Sequence, residues 1–298
     1  MINNAADRLA AAIARVKNPT AMGLDTQEGH LPAEFAPKGD TNKDICEAIL
    51  KYNKALIDGL GDLIGCIKVQ VAYYEIYGVT GMMAFAETLK YAHEHGYVTI
   101  ADCKRNDIGA TAGAYARAYL NPKGEFFSDF VTVNAYLGVD GIQPFVDEAK
   151  QHGGGIYVLV KTSNPSGRQL QDVVVADGRK IYELMADFVS VWGEDLIGEA
   201  GYSSIGAVVG ATWPSESTLL RKRMPHTPFL VPGYGAQGAT GKDLSGCFDA
   251  SKSGAVVNAS RSLLCAHQKR PEMGWLNAVR AEAIRMRDDI SADYAERA

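Results

Sequence analysis

The run Asp102-Cys103-Lys104-Arg105-Asn106-Asp107 sets two carboxylates around an ammonium. It follows Tyr97-Val98-Thr99-Ile100-Ala101, a short apolar and β-branched stretch that reads as a buried strand. Side chains alternate faces along a strand, so Asp102 and Lys104 leave on the same side as Val98 and Ile100. A lone Asp-x-Lys of this kind is more often a salt bridge closing a strand end than a catalytic pair. Two other features change that balance. Lys68 sits inside the apolar run Gly65-Cys66-Ile67-Lys68-Val69-Gln70-Val71, and a lysine within such a strand is rarely structural unless paired. Near the C-terminus, Gly233, Gly235 and Gly238 share one loop, and Ser260-Arg261-Ser262 opens a predicted helix. Glycine lets backbone N–H groups approach an anion, a helix start favours negative charge, and arginine offers a planar fork to phosphate oxygens. The chemistry suggested is proton transfer beside a phosphate-bearing substrate. A flexible glycine turn and a surface arginine would be the plainer account of the second feature.

The elements that must position these groups alternate strictly. Eight short apolar segments begin near residues 20, 65, 97, 129, 156, 204, 228 and 255. Helical patterns occupy 4–17, Asp44–Leu60 with Asn42 as cap, Thr80–His95 ended by Gly96, Ala110–Leu120 and Ile142–His152. Further patterns occupy Ile181–Glu199, a stretch opened by Pro214, a short piece at 242–250, the turn after Ser260 and 272–290. Alternation of this kind implies parallel strands. Eight such units make an α/β protein of the (β/α)8 TIM-barrel type, read as a single domain over 1–298 with an N-terminal helix. Residues 164–180 form an insertion, with Gln171–Val175 and Ala176–Arg179 suggesting a small hairpin. An open doubly wound sheet is the alternative, but no Gly-x-Gly-x-x-Gly opens the first helix. In a barrel the site lies at the C-terminal strand ends, which gathers Asp25, Lys68, Asp102, Lys104, Asn134, Ser163 and Arg261. The loops after the seventh and eighth strands, with Gly235 and Ser260, are the usual phosphate site of that fold.

Composition narrows the classes. The 298 residues are 47% hydrophobic and carry a net charge of −5, which argues against a nucleic-acid partner. Arg221-Lys222-Arg223 reads as a solvated helix end. The five cysteines are scattered without a C-x-x-C pair, so buried free thiols are expected. The six histidines fall on helices or loops, so no metal site is expected, and His93 and His95 read as solvated. No signal peptide or membrane-spanning stretch is evident, and a soluble cytoplasmic protein is expected.

Asp-x-Lys-x-x-Asp-Ile after the third strand resembles the signature of the orotidine 5′-phosphate decarboxylase family. Gly23-Leu24-Asp25, Ile67-Lys68-Val69-Gln70, Thr162-Ser163-Asn164, Pro232-Gly233-Tyr234-Gly235-Ala236-Gln237 and Ser260-Arg261-Ser262 also fit, in the family's order. The resemblance covers nearly the whole chain and is to the longer bacterial subgroup. It implies cofactor-independent loss of carbon dioxide from orotidine 5′-phosphate to give uridine 5′-phosphate (UMP). Lys68, Asp102, Lys104 and Asp107 would form an alternating charge network, with Lys104 protonating C6 and Asp102 against the departing carboxylate. Asp25 and Lys68 would hold the ribose, Ser163 the pyrimidine, and Gln237 and Arg261 the phosphate. Ser260 stands where many relatives carry glycine, and its backbone N–H would still serve phosphate. Asp107 and Thr111 would complete the site of a neighbouring subunit, making the enzyme a homodimer. The loop at 233–240 and the insertion would act as lids. Rival readings are a metal-dependent sugar-phosphate decarboxylase, a class I aldolase using Lys68 or Lys161, and a silent nucleotide-binding barrel.

Overall fold

A computed structural model of the chain describes residues 4–235 and 238–295. Eight parallel strands close into a barrel in chain order, with the last beside the first. They are β1 Thr20–Leu24, β2 Cys66–Gln70, β3 Val98–Arg105, β4 Phe130–Val133, β5 Gly155–Lys161, β6 Ile205–Val209, β7 Phe229–Val231 and β8 Ala255–Ala259. Alternation divides their side chains between two cores. Ala21, Cys66, Val98, Ile100, Phe130, Tyr157, Val208, Leu230 and Val256 form one cluster that fills the barrel. The opposite faces pack with the surrounding helices into a second, larger cluster.

The N-terminal helix Ala5–Val16 adds Ala5, Leu9 and Ala12 to the inner cluster, so it closes the barrel at the strands' N-terminal ends. Burying Leu9 there stabilises by about 1.5–3 kcal/mol. Asn4 caps the helix by accepting from the N–H groups of Ala6 and Asp7. Arg8 anchors it through two hydrogen bonds, of 3.0 and 2.7 Å, to the buried carboxylate of Asp129. Functional groups are thereby left to the opposite mouth.

Several elements depart from the sequence reading. The second helix runs Asn42–Leu60 and its cap is Thr41, whose hydroxyl accepts from the Asp44 N–H, so Asn42 is already helical. The helix from Ile181 stops at Gly193 and passes into a tight turn at Glu194–Leu196. A Cβ on Gly193 would lie 2.5 Å from Ser203 Oγ, and that hydroxyl donates to the Gly193 carbonyl at 2.7 Å, so the last helical position sits against the chain leading into β6 and admits only glycine. The insertion opens with helical turns at Pro165–Gly167 and Arg168–Gln171, and the expected hairpin follows them, with the antiparallel bridge Val174–Lys180 flanked by bonds from the Val175 N–H to the Arg179 carbonyl at 2.8 Å and from the Ile181 N–H to the Val173 carbonyl at 3.0 Å. The closing helix is Trp275–Ala295. Arg221 is no solvated helix end: it is buried, donates to the carbonyls of Cys247, Met224, Thr227 and Gly254, and stacks 3.7 Å from the Phe229 ring centroid. His93 is also more than solvated, lying half-exposed 3.7 Å from Asp129, whose carboxylate raises its pKa. His95 stacks on Tyr91, with centroids 4.0 Å apart. All five cysteines are buried and free. No helix among the described residues is long and apolar enough to cross a membrane.

Candidate active site

A cavity of about 510 Å³ opens at the C-terminal mouth of the barrel. One wall is charged and the floor, formed by Leu159, Val208 and Leu230, is apolar. The charged wall centres on Asp102. Its Oδ2 accepts from Lys68 Nζ at 2.9 Å and Gln70 Nε2 at 3.0 Å. Its Oδ1 accepts from Lys104 Nζ at 2.6 Å and the Thr132 hydroxyl at 2.9 Å. Lys68 Nζ also lies 3.4 Å from Asp25 Oδ1. The result is an alternating row, Asp25, Lys68, Asp102, Lys104, contributed by neighbouring strands.

The row explains how charge survives on Asp102 and Lys68 although both are buried. Burial raises the pKa of Asp102, but the two ammonium groups outweigh it and hold the carboxyl well below the usual range. Burial likewise lowers that of Lys68, and Asp102 and Asp25 reverse the effect, so its pKa lies above the usual lysine value. Both groups are therefore ionised at neutral pH. Lys104 differs in exposure: its side chain is 46% exposed and faces the cavity.

Simple alternation put Asp102 and Lys104 on one face, and they do meet, by a different route. The pairing of β3 with β4 shifts between Ala101 and Arg105, and Lys104 has φ +48°. That left-handed conformation costs about 1–2 kcal/mol in a residue with a Cβ. It is held by Thr132, whose Oγ1 accepts from the N–H groups of both Cys103 and Lys104, at 2.9 Å each, while donating to Asp102.

Strand β5 shows the converse. Alternation would send Lys161 inward after Tyr157 and Leu159, but the β5–β6 register shifts between Leu159 and Lys161. Lys161 is fully buried outside the cavity, paired with Asp172, and Ser163 lines the cavity instead. The aldolase reading on Lys161 thus fails for lack of access.

At the other end of the cavity stand Gly233, Ser260 and Arg261. Gly23 makes room for them: a Cβ there would lie 2.0 Å from Ser260 Oγ. The helix opened by Arg261 is only four residues, Arg261–Leu264, so the arginine and local N–H groups must supply what a long dipole was expected to add. Gly235, at φ +67°, is exposed and off the cavity wall, and Gln237 lies outside the described residues. The loop base is fixed by Tyr234, whose hydroxyl donates to Asp289 at 2.5 Å.

Three more of the expected residues stand apart from this cavity. Asn134 lies beyond the end of β4, and its Oδ1 accepts from the Tyr136 N–H at 3.0 Å; Thr132, two residues earlier, takes its place on the wall. Asp107 does not join the charge row of its own chain; its Oδ1 accepts from the Ile108 N–H at 2.8 Å. Thr111 is exposed on the following helix, Gly109–Leu120. Around them Ile108, Tyr136, Leu137 and Val139 are exposed apolar side chains.

Thr132 and His30, which the sequence reading does not single out, also line the cavity, as does Gln70, which it names only within a motif. Thr132 and Gln70 share the inward parity of Phe130 and Lys68, a signal available in sequence. His30 is reached only through a turn, Glu28–His30, after β1. Its Nδ1 accepts from the Gln27 N–H at 3.3 Å, and burial followed by the Arg261 charge lowers its pKa. Among the described residues no group of three or more His, Cys, Asp or Glu side chains is placed to hold a metal.

Comparison with known proteins agrees with this geometry. Residues 34–273 match the model of the orotidine 5′-phosphate decarboxylase / HUMPS family. The orotidine 5′-phosphate decarboxylase of Rhodopirellula baltica is 41% identical over 297 residues, covering 96% of this chain and 98% of its own. That of Clostridium tetani is 42% identical over 269 residues, covering 90% and 91%. The crystal structure of a Streptomyces avermitilis protein assigned to the same activity superposes with a TM-score of 0.82 at 33% identity, covering 98% of this chain and 96% of that one. With a matching barrel, a matching family model and relatives near 40% identity over most of the chain, the protein belongs to the orotidine 5′-phosphate decarboxylase / HUMPS family.

Proposed function

We infer that the protein converts orotidine 5′-phosphate to UMP and carbon dioxide, the last step of UMP biosynthesis, with Lys104 as the proton donor. The observation that carries the residue roles is the half-exposed Lys104 ammonium, 2.6 Å from a buried carboxylate that Lys68 keeps ionised. In the reaction the C6–carboxylate bond breaks, carbon dioxide leaves, and the electron pair stays on C6. No ring position delocalises it easily. An ammonium fixed where that charge develops favours the transition state over the bound substrate. Lys104 then transfers a proton from Nζ to C6 and is recharged from solvent. Asp102 holds the ammonium in place at 2.6 Å and faces the departing carboxylate as a like charge.

The remaining roles follow the cavity. Asp25 and Lys68 take the ribose hydroxyls, Ser163 the pyrimidine edge above the apolar floor, and Arg261 the phosphate, with the backbone at Ser260. Asp107 and Thr111 serve the site of a second copy. The exposed Ile108, Tyr136, Leu137 and Val139 beside them support that reading, because such apolar area favours a covered interface. The chain acts as one domain, in the cytoplasm, without a cofactor. Against the rival reading of a metal-dependent sugar-phosphate decarboxylase, the decisive assay is ultraviolet absorbance of orotidine 5′-phosphate with and without a chelator, beside Lys104→Ala. Chelator-resistant loss of the orotate band, absent in the variant, is expected. A stable band with wild-type protein would overturn the assignment.

A further inference from the structure

The outward turn of Lys161 has a consequence for Ser163. Lys161 is fully buried, with its ammonium 4.8 Å from the Tyr182 ring centroid and 4.9 Å from that of Trp213. Its carboxylate partner is Asp172, at the end of the short helix Arg168–Gln171 in the insertion. A buried ammonium depends on such a partner, since removing one member of a buried pair strands the other. Arg168 holds Asp172 from the solvent side at 2.9 Å and lies 5.0 Å from the Trp213 ring centroid. The ion pair thus pins the far end of the segment that begins at Thr162.

The near end is held by the same group of residues. Gln171 brackets Thr162, its Oε1 accepting from the Thr162 N–H at 3.1 Å and its Nε2 donating to Thr162 Oγ1 at 2.7 Å. Trp213 Nε1–H donates to the Thr162 carbonyl at 2.8 Å. Thr212 donates to the Ser163 carbonyl at 3.0 Å. Gly210 allows close approach, since a Cβ there would lie 2.7 Å from Ser163 Cα. None of these donors or acceptors needs the substrate, yet together they fix the backbone on both sides of a cavity-lining serine.

We propose that the Lys161–Asp172 pair, with Gln171 and Trp213, is a latch that positions Ser163 against the pyrimidine. Asp172 and Trp213 are positioning residues in this scheme. It rests on the reading that Ser163 contacts the ring. A displacement near 1 Å at a contact of this kind can lower turnover about 100-fold.

The test is a double-mutant cycle on kcat/KM for orotidine 5′-phosphate. Asp172→Asn and Trp213→Phe are each made in the wild type and in Ser163→Ala. Trp213→Phe keeps a ring over Lys161 and deletes the Nε1–H, so it decides the question even where Asp172→Asn fails to fold. In the wild type, Trp213→Phe should lower kcat/KM about 3–10-fold and Asp172→Asn more, with partial rescue by Asp172→Glu. In Ser163→Ala both losses should shrink below about 2-fold, because a latch has nothing left to position. If Ser163→Ala is impaired and the losses simply multiply, or if the variants lower Tm alone, the latch is overturned while the role of Ser163 stands. If Ser163→Ala leaves kcat/KM unchanged, the ring assignment fails and the latch with it.

Discussion

Replacing Asp102 with asparagine keeps its shape and removes the charge that holds two ammonium groups. Those groups lie at 2.9 and 2.6 Å, worth about 6 kcal/mol each in gross attraction at an effective dielectric near 20. The carboxylate and Lys68 are both buried, so most of that attraction offsets desolvation, and breaking a buried pair costs about 3–5 kcal/mol net. The lower end applies, because Asp25 remains 3.4 Å from Lys68 and the half-exposed Lys104 can turn to water. With an unfolding entropy near 2.1 cal/mol/K per residue, a 3 kcal/mol loss lowers Tm by about 5 °C in a chain of 298 residues. The pH dependence gives a second handle. An unfolded aspartate binds its proton near pH 3.9, while the folded Asp102 resists protonation until well below that. The unfolded state therefore binds more protons in that interval, and stability rises with pH across it. The gap between wild type and Asp102→Asn should be full above about pH 4 and narrow as pH falls below it. Thermal melts by circular dichroism from pH 3 to 8 measure both. A Tm within about 1 °C of wild type at pH 7, or a gap that does not narrow in acid, would refute the role given to the charge row.

Lys104→Ala should lower kcat by about 10⁴-fold or more, since it removes both a proton donor and a fixed charge; Tm should barely move, and a large Tm loss would point to a structural lysine. Arg261→Ala should raise KM for orotidine 5′-phosphate about 10–100-fold and leave the reaction of orotidine, which lacks the phosphate, unchanged; equal effects on both would move the phosphate elsewhere. Lys104→Ala and Asp107→Ala should each be inactive alone, and an equimolar mixture should recover about a quarter of wild-type activity through hybrid dimers with one intact site. No recovery after confirmed subunit exchange would remove Asp107 from the partner's site.

How far these residues could be read from sequence varies with their surroundings. Asp25, Lys68 and Asp102 were legible because polar groups at the ends of apolar strands are rare and must be paired. Lys104 was placed correctly by a rule that does not hold locally, since β3 loses its register there and the residue turns left-handed. Asn134 was chosen as a strand-end residue, but β4 stops at Val133 and the carboxamide serves the loop. The helical pattern from Ile181 runs on to Glu199, yet the helix ends at Gly193, whose carbonyl accepts from the Ser203 hydroxyl, a contact from further along the chain. The buried setting of Arg221 was hidden for the same reason, its acceptors being carbonyls from distant turns.

Alternating apolar strands and helices by themselves determined a parallel α/β fold, because such strands must be covered on both faces, and eight units pointed to a barrel rather than an open sheet, while closure of the last strand on the first is a tertiary fact. The order of acids, lysines and the late arginine, with the motifs around them, likewise determined the chemistry and the family. Only tertiary structure decided which of these groups meet. The register shift in β5 turns Lys161 away from the cavity against the alternation, a choice no periodicity records because it is set by pairing with the neighbouring strand, whereas the shift in β3 brings Lys104 by a left-handed turn to the face alternation already gave it.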